Sequence, residues 1–270
     1  MRGHKPRSGR PFPFITLPVT PAIAMQTLSS LLADWPAPPH VRTLITTRTG
    51  GVSTGPYTGF NVGTHVGDDP VAVAANRASL RLHVPVEPAW LNQVHGTTVV
   101  DAATVSTSEP PAADASIARG PGAVCAIMTA DCLPVLLSDR AGSVVGAAHA
   151  GWRGLCDGVI EATVEAMQRP AGELQAWLGP AIGPDAFEVG AEIRAAFVSR
   201  DADAAQAFHA IPDGKYLADI YLLARRRLAR LGITAVHGGE HCTVTDRDRF
   251  FSYRRDRVTG RMVSLIWLEG

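Results

Sequence analysis

The chain has 270 residues, of which 46% are hydrophobic and 19% charged, and its 25 basic side chains balance its 25 acidic ones. This composition is typical of a globular protein with a sizeable core, and zero net charge excludes a general electrostatic attraction to nucleic acid or to a membrane. Four cysteines without a Cys-x-x-Cys pair exclude a disulfide framework, so we expect reduced thiols in a cytoplasmic protein.

Residues 1–40 are interpreted as a leader that precedes the folded domain. Basic residues come before a short apolar stretch, and Ala22-Ile23-Ala24 resembles a signal-peptide cleavage site. Several prolines interrupt that stretch, so we instead expect a disordered leader at least to residue 24, or a true start at Met25. No run approaches the roughly 20 apolar residues that cross a bilayer. We therefore predict one catalytic domain over residues 41–270.

Strands and helices are predicted to alternate along this domain. Residues 41–48 are β-branched and alternating, which indicates a strand, and a glycine-rich loop follows over 50–67. Asp69 before Pro70 is typical of a helix start, and this helix is predicted to run to about residue 83. Four short apolar segments then predict strands covered on both faces; they are 97–101, 123–129, 134–138 and 143–148.

The second half of the domain continues the alternation. A helix is predicted over 158–168, a buried strand over 174–178 and a helix in two pieces over 192–208. The clearest amphipathic helix spans 217–231, and its arginine cluster is typical of a solvated helix face. Closing strands are predicted at 233–236 and 262–268. The interleaved order indicates an α+β fold of the α/β type with mixed sheets.

Three residues that can bind a metal lie in short polar or glycine-rich breaks beside apolar runs: His95, Cys132 and His149. Two His and one Cys can hold zinc and leave a fourth position open, as in catalytic zinc sites. A second interpretation makes Cys132 a nucleophile and His149 its base. Asp131 would orient a histidine in either case, or would only cap a turn.

Several other chemistries are disfavoured by missing motifs. The nine histidines include no His-x-His pair, and too few of them cluster to build a trinuclear copper site. The His-x-Glu and Pro-Cys-x-x-Cys signature of the base deaminases is absent. No Gly-x-Gly-x-x-Gly opens a helix and no phosphate-binding P-loop occurs, so a nucleotide-fold cofactor is not expected.

A series of motifs follows in order from about residue 41 to the C-terminus. The motifs are Thr46-Thr47-Arg48-Thr49-Gly50-Gly51-Val52-Ser53, Phe60-Asn61-Val62-Gly63, Val66-Gly67-Asp68-Asp69, Asn76-Arg77, Gln93-Val94-His95-Gly96, Ala130-Asp131-Cys132-Leu133-Pro134, His149-Ala150-Gly151-Trp152-Arg153-Gly154, Gly179-Pro180-Ala181-Ile182-Gly183 and Phe250-Phe251-Ser252-Tyr253-Arg254-Arg255. In these motifs the chain resembles the bacterial YfiH-like, laccase-domain family, also labelled polyphenol oxidase, purine nucleoside phosphorylase or peptidoglycan editing factor.

The resemblance implies that His95, Cys132 and His149 are metal ligands, usually for zinc, with copper as an alternative. It also implies a four-layer α-β-β-α sandwich, shared with the catalytic domain of cytotoxic necrotizing factor toxins. The activities attached to the family are phosphorolysis of adenosine, inosine, guanosine and methylthioadenosine, deamination of adenosine, oxidation of phenols and editing of peptidoglycan precursors.

We therefore expect a zinc-dependent purine nucleoside enzyme that acts on small purine nucleosides and phosphate, as a monomer or weak homodimer. The alternatives are a Cys132-dependent amidase in peptidoglycan precursor editing and a copper-dependent phenol oxidase. The predicted catalytic residues are Asp131 as proton carrier, Arg48 and Cys132. The predicted substrate-binding residues are Arg48 and Arg153 for phosphate, Asn61 and Gln93 for ribose or base, and Tyr253, with Phe250, as a pocket wall.

Overall fold

The computed structural model describes residue 1 and residues 28–270. The expected disordered leader and the alternative start at Met25 fall on residues 2–27, outside this range. Within residues 28–40, a short strand at Ser30–Leu31 pairs antiparallel with the first long strand. The division into a leader to residue 40 and a domain from residue 41 stays a prediction.

Thirteen strands and six helices make up residues 28–270. The strands are β1 (Ser30–Leu31), β2 (Val41–Thr46), β3 (Val99–Asp101), β4 (Ala115–Ala118), β5 (Val124–Thr129), β6 (Leu133–Asp139), β7 (Val145–Ala150), β8 (Leu174–Leu178), β9 (Glu188–Val189), β10 (Phe208–Ile211), β11 (Lys215–Ala218), β12 (Ala235–Gly238) and β13 (Met262–Leu268). The helices are α1 (Pro70–Arg81), α2 (Trp152–Asp157), α3 (Val159–Met167), α4 (Ala191–Val198), α5 (Ile220–Leu231) and α6 (Tyr253–Asp256). No helix within residues 28–270 is both long and apolar enough to span a membrane.

The strands form three sheets, of which the six-stranded one is mixed and the other two are antiparallel. A four-stranded sheet has the order β1-β2-β13-β5, a six-stranded sheet the order β12-β8-β6-β7-β4-β3, and a small sheet the order β10-β11-β9. In the six-stranded sheet β12 and β8 are parallel, as are β3 and β4, whereas the other pairs are antiparallel. The α+β class with mixed sheets is confirmed.

The two larger sheets pack face to face and carry helices on their outer faces. Successive residues of β5 show this: Ile127 points into the layer between the sheets, and Met128 into the layer that also contains Leu80 of α1. On the other side, Val135 of β6 packs in one cluster with Ile160 of α3 and Leu228 of α5. This is the predicted α-β-β-α order, and it explains why the central strands are apolar on both faces.

Several predicted boundaries were wrong. The second piece of the predicted helix over 192–208 is a 3₁₀ segment at Ala202–Ala207, and Phe208 already belongs to β10. Residues 217 and 218 belong to β11 instead of the amphipathic helix, because the Asp219 side chain accepts from Leu222 N and caps α5 there. Strand β4 was not predicted, since it is only four residues long and contains two alanines.

Candidate metal centre

Two histidines and one cysteine converge where β6 begins and β7 ends. The ligand atoms of His95, Cys132 and His149 lie within 4.8 Å of one another, in the only such group of three or more His, Cys, Asp or Glu among residues 28–270. The distance from Cys132 Sγ to His95 Nε2 is 3.8 Å, and the two imidazole rings are 4.8 Å apart at an interplanar angle of 65°. The three sequence-predicted ligands therefore form one cluster that could bind a metal ion.

The strand pairing explains why Cys132 and His149 are neighbours. Residues 130–132 connect β5 in the four-stranded sheet to β6 in the six-stranded sheet, so Cys132 lies at the crossing between the two layers. His149 lies next to the end of β7, paired with Pro134 of β6. Asp131 takes a positive φ of 97°, which turns the chain sharply just before Cys132.

His95 is held by a carboxylate that comes from another part of the chain. The backbone N–H groups of Val94, His95 and Gly96 all donate to the Asp114 carboxylate, at 3.2, 2.8 and 2.7 Å. His95 itself has a positive φ of 63°, so these three bonds stabilise an unusual loop conformation. The loop conformation in turn directs the His95 ring toward Cys132.

The same carboxylate also orients His149. Asp114 Oδ1 lies 2.8 Å from His149 Nδ1, and the Asp114 carbonyl accepts from His149 N at 2.7 Å. Because Nδ1 is engaged by the carboxylate, Nε2 is left as the nitrogen available to a metal. One buried aspartate therefore supports two of the three ligands, which is a common second layer around metal sites.

The electrostatics of the cluster favour charge separation between sulfur and imidazole. Burial by itself raises the pKa of the Cys132 thiol, but the charge of His149 and hydrogen bonds from His149 and His95 outweigh it and lower that pKa. Burial likewise lowers the pKa of His149, whereas Cys132 and Asp114 raise it more strongly. A metal ion bound here would take the place of the proton that the pair shares.

The donor set fits zinc. Zinc prefers Cys sulfur at about 2.3 Å and His nitrogen at about 2.0 Å, and at a tetrahedral angle such atoms lie roughly 3.6 Å apart. The observed separation of 3.8 Å between Cys132 Sγ and His95 Nε2 is close to this value. Three protein donors would leave a fourth coordination position on a bound zinc ion, and all three donor residues line the cavity described next.

A cavity of about 240 Å³ opens above the cluster. Two of its walls come from sequence-predicted substrate residues, Gln93 and Tyr253. The Gln93 amide both donates to Met128 O and accepts from Met128 N, each at 2.8 Å, so it joins the cavity wall to β5. Tyr253, on α6, is 52% exposed at the cavity mouth.

Two further predicted residues, Asn61 and Asp131, do not line this cavity; both are buried and hydrogen-bonded within the protein. Asn61 is fully buried, and its amide oxygen accepts from Gly63 N and Arg261 N at 2.9 and 2.8 Å. Asp131 accepts from Thr243 Oγ1 and from Arg254 N, both at 2.6 Å. Their expected contacts with substrate and proton stay predictions.

Arg48, Arg153 and Phe250 do not line the cavity. Arg48 donates to Arg247 O and Thr58 O, and lines a separate depression that it shares with Arg255. Arg153 is exposed on α2 with its guanidinium over the Trp152 ring. Phe250 is a core residue with no exposed surface. The phosphate-binding roles of the two arginines stay predictions.

Three residues of the site were missed by sequence reasoning: Asp114, which supports both histidines, and Arg261 and His65, which line the cavity. Asp114 is flanked by alanines and precedes a strand that was not predicted, so no local pattern marks it. Arg261 follows a Thr-Gly turn that resembles any surface turn. Burial and the charges of Arg261 and Arg77 lower the pKa of His65.

A family model and named proteins match this chain over most of its length. Residues 42–269 match the family model described as multi-copper polyphenol oxidoreductase laccase. A purine nucleoside phosphorylase of Pseudomonas aeruginosa is 55% identical over 242 residues, covering 88% of this chain and 98% of that protein. The purine nucleoside phosphorylase YfiH of Escherichia coli is 54% identical over 243 residues, with the same coverage.

Solved structures agree with the sequence comparisons. A Neisseria meningitidis protein assigned to the family model DUF152 superposes with a TM-score of 0.88 at 57% identity, covering 89% of this chain and 99% of that one. YlmD from Geobacillus stearothermophilus superposes with a TM-score of 0.80 at 28% identity, covering 89% and 96%. The fold, the order of the motifs and the family model all agree. This chain therefore belongs to the multi-copper polyphenol oxidoreductase laccase family, the YfiH-like family that its sequence resembles.

Proposed function

We propose that this chain is a zinc-dependent purine nucleoside enzyme. Its reactions are phosphorolysis of adenosine, inosine, guanosine and methylthioadenosine, and deamination of adenosine. The observation that carries the proposal is the His95–Cys132–His149 cluster, whose three residues line one cavity together with Gln93 and Arg261. The names of the relatives in Pseudomonas aeruginosa and Escherichia coli support the choice of substrate class.

The chain's own residues would hold the metal and shape the space around it. When bound, a zinc ion supplies a Lewis acid at its open coordination position. Asp114 fixes the ring of His149 and the loop of His95, so the donors are oriented before the metal arrives. Gln93 keeps the cavity wall attached to β5, and Tyr253 limits access at the mouth.

In phosphorolysis, a phosphate oxygen bonds to the ribose C1′ atom as the bond between C1′ and the base nitrogen breaks. The electron pair of the broken bond stays on that nitrogen, which takes the proton that the phosphate carried. The products are the free base and the sugar 1-phosphate. Such a reaction needs a cationic partner for phosphate beside the nucleoside.

In deamination, the oxygen of water bonds to C6 of adenosine, and the bond from C6 to the amino nitrogen breaks. Its electron pair leaves with the nitrogen, one proton of the water completes ammonia, and the other stays on inosine. No phosphate takes part, so this reaction serves as an internal reference for the first one.

The test is chromatography of adenosine incubated with metal-replete protein, with and without phosphate, beside the variant Cys132→Ala. We expect adenine that depends on phosphate, inosine that does not, and loss of both in the variant. The same incubation is repeated with inosine, guanosine and methylthioadenosine, and no conversion of any of the four nucleosides would overturn the proposal. Copper as the bound metal together with oxygen-dependent oxidation of phenols would favour the phenol oxidase.

A second candidate function is a cysteine hydrolase acting on peptidoglycan precursors. It is favoured by the chain of contacts from Cys132 through His149 to Asp114, which is the order of nucleophile, base and orienting carboxylate in such enzymes. Chelation separates the two candidates. A cysteine hydrolase keeps its activity when zinc is removed and loses it on thiol alkylation, whereas the zinc enzyme loses activity on chelation and regains it with zinc.

A further inference from the structure

The cavity above the ligand cluster contains one permanently charged side chain, Arg261, among the described residues that line it. The other lining residues are neutral or titratable, and no Asp or Glu is among them; they are His65, Gln93, His95, Met128, Thr129, Ala130, Cys132, His149 and Tyr253. A cavity with a fixed cation and no carboxylate in its wall attracts anions. This property distinguishes it from the depression at Arg48, which also contains Asp248 and Asp256.

The guanidinium of Arg261 is anchored at one nitrogen and available at the others. Its Nη1 atom donates to Thr259 O and Gly260 O, at 3.1 and 3.0 Å. No acceptor for Nε or Nη2, and no ion pair, is found for Arg261 within residues 28–270. Nε and Nη2 form the edge of a guanidinium that binds two oxygens of phosphate or carboxylate at once.

Residue 261 is also held in place by the loop that contains Asn61 and Gly63. Arg261 N donates to Asn61 Oδ1 at 2.8 Å, and Arg261 O accepts from Val62 N at 3.2 Å. A Cβ atom on Gly63 would lie 2.8 Å from Arg261 Cγ, so the arginine stem packs directly on this glycine. The motif Phe60-Asn61-Val62-Gly63 therefore positions a cation that lies about 200 residues further along the chain.

We propose that Arg261 binds the anionic co-substrate, inorganic phosphate, beside the ligand cluster, and that Asn61 and Gly63 position it. The inference rests on the proposed function, because phosphorolysis is the reaction that requires phosphate. It assigns to Arg261 the role that sequence reasoning gave to Arg48 and Arg153. Neither of those two lines the cavity that contains His95, Cys132 and His149.

The first measurement is the KM for phosphate in phosphorolysis by Arg261→Gln, with adenosine deamination by the same preparation as the reference. Losing a charge-assisted pair of hydrogen bonds raises this KM by about tenfold to a hundredfold. Arg261→Lys keeps the charge but not the flat fork, so a smaller rise is expected. Deamination by the same preparation, which uses no phosphate, loses less activity than phosphorolysis does, and zinc content stays at the wild-type level.

The matched control is Arg225→Gln. Arg225 also donates to two backbone carbonyls, Val236 O and Gly238 O, but it lies on α5 away from the cavity. Its phosphate KM stays at the wild-type value. Gly63→Ala provides a variant that keeps the Arg261 charge and displaces its stem, and an intermediate rise in phosphate KM is expected from it.

Calorimetric titration of the zinc-loaded protein with inorganic phosphate gives a readout that needs no turnover. We expect weaker phosphate binding in Arg261→Gln and unchanged binding in Arg225→Gln. If phosphate KM and phosphate binding are both unchanged in Arg261→Gln, or if Arg48→Gln or Arg153→Gln shows the loss instead, the inference is wrong while the proposed function stands. If wild-type protein shows no phosphorolysis, the proposed function fails, and the titration still decides whether Arg261 binds an anion.

Discussion

Two buried aspartates, Asp131 and Asp114, differ in whether their carboxylates contact the metal-binding residues. Asp131 is the direct neighbour of Cys132 in the sequence, yet its carboxylate bonds to Thr243 and to the backbone of α6. Asp114 is 18 residues before Cys132, yet its carboxylate bonds to His149 and to the loop of His95. The comparison teaches that a carboxylate next to a ligand in the sequence need not contact the histidines, because strand pairing decides which side chains meet.

Replacing Asp114 gives the largest expected effect and tests the comparison directly. In Asp114→Asn the amide cannot balance a positively charged or metal-bound His149, and loss of such an outer partner typically lowers metal affinity by about 10-fold to 100-fold. The measurement is competition for zinc against a chromophoric chelator. If Asp114→Asn binds zinc as tightly as wild type, Asp114 does not support the ligands.

Replacing Asp131 is expected to affect stability instead of metal affinity. An amide at this position turns a donor toward Thr243 Oγ1 or Arg254 N, which costs about 1–3 kcal/mol of the free energy of unfolding. Urea unfolding of zinc-loaded Asp131→Asn measures this cost, and chelator competition measures zinc affinity beside it. A drop in zinc affinity equal to that of Asp114→Asn would remove the distinction between the two aspartates.

A methyl group at Gly151 displaces the metal-binding side chains without removing a charge, which separates the effect of ligand position from the effect of the Asp114 charge. A Cβ atom there would lie 2.9 Å from His95 Cδ2 and 3.0 Å from Cys132 Sγ, so both ligands have to shift. We expect a several-fold loss of zinc affinity in Gly151→Ala, smaller than in Asp114→Asn. Gly172→Ala is the matched control, because a Cβ atom at Gly172 meets no atom within 4 Å.

The smallest expected effect comes from replacing a third aspartate, Asp139, which does not line the cavity. It serves as a reference for a buried carboxylate that contributes only to stability. Burial raises the pKa of Asp139, but hydrogen bonds from Ser143 and from Val144 N, and the charge of Arg169, lower it further than burial raises it. Its contribution to stability is therefore complete above the unfolded pKa of about 3.9 and is lost as pH falls through the folded value.

Asp139→Asn is accordingly expected to lose about 1 kcal/mol at pH 7 and to show a shallower loss of stability below pH 4 than wild type. Unfolding free energies measured between pH 3 and pH 7 check this, with zinc affinity at pH 7 unchanged. If the unfolding free energy of the variant falls with decreasing pH as steeply as that of wild type, Asp139 has the same pKa in the folded and the unfolded chain, and the prediction is wrong.

From its residues alone, the sequence predicted strands covered on both faces and three candidate metal-binding residues, whereas the four-layer order and the ligand roles were implied by the family resemblance. Apolar residues predominate in β5, β6, β7 and β13 because both faces of these strands are covered, so their burial can be predicted from composition. His95, Cys132 and His149 were singled out because each lies in a short polar or glycine-rich break beside an apolar run. Residue chemistry alone left two alternatives for them, a metal site and a hydrolase pair of Cys132 and His149.

Only the tertiary structure decided what surrounds those ligands. Arg48, Arg153 and Arg261 all lie within two residues of a glycine, yet of these three only Arg261, which packs on Gly63, lines the cavity. Likewise, Asp114 reaches His149 because β4 pairs with β7, a contact between residues 35 positions apart. Pairing and packing are interactions between distant segments, and a local pattern contains no information about which segments meet.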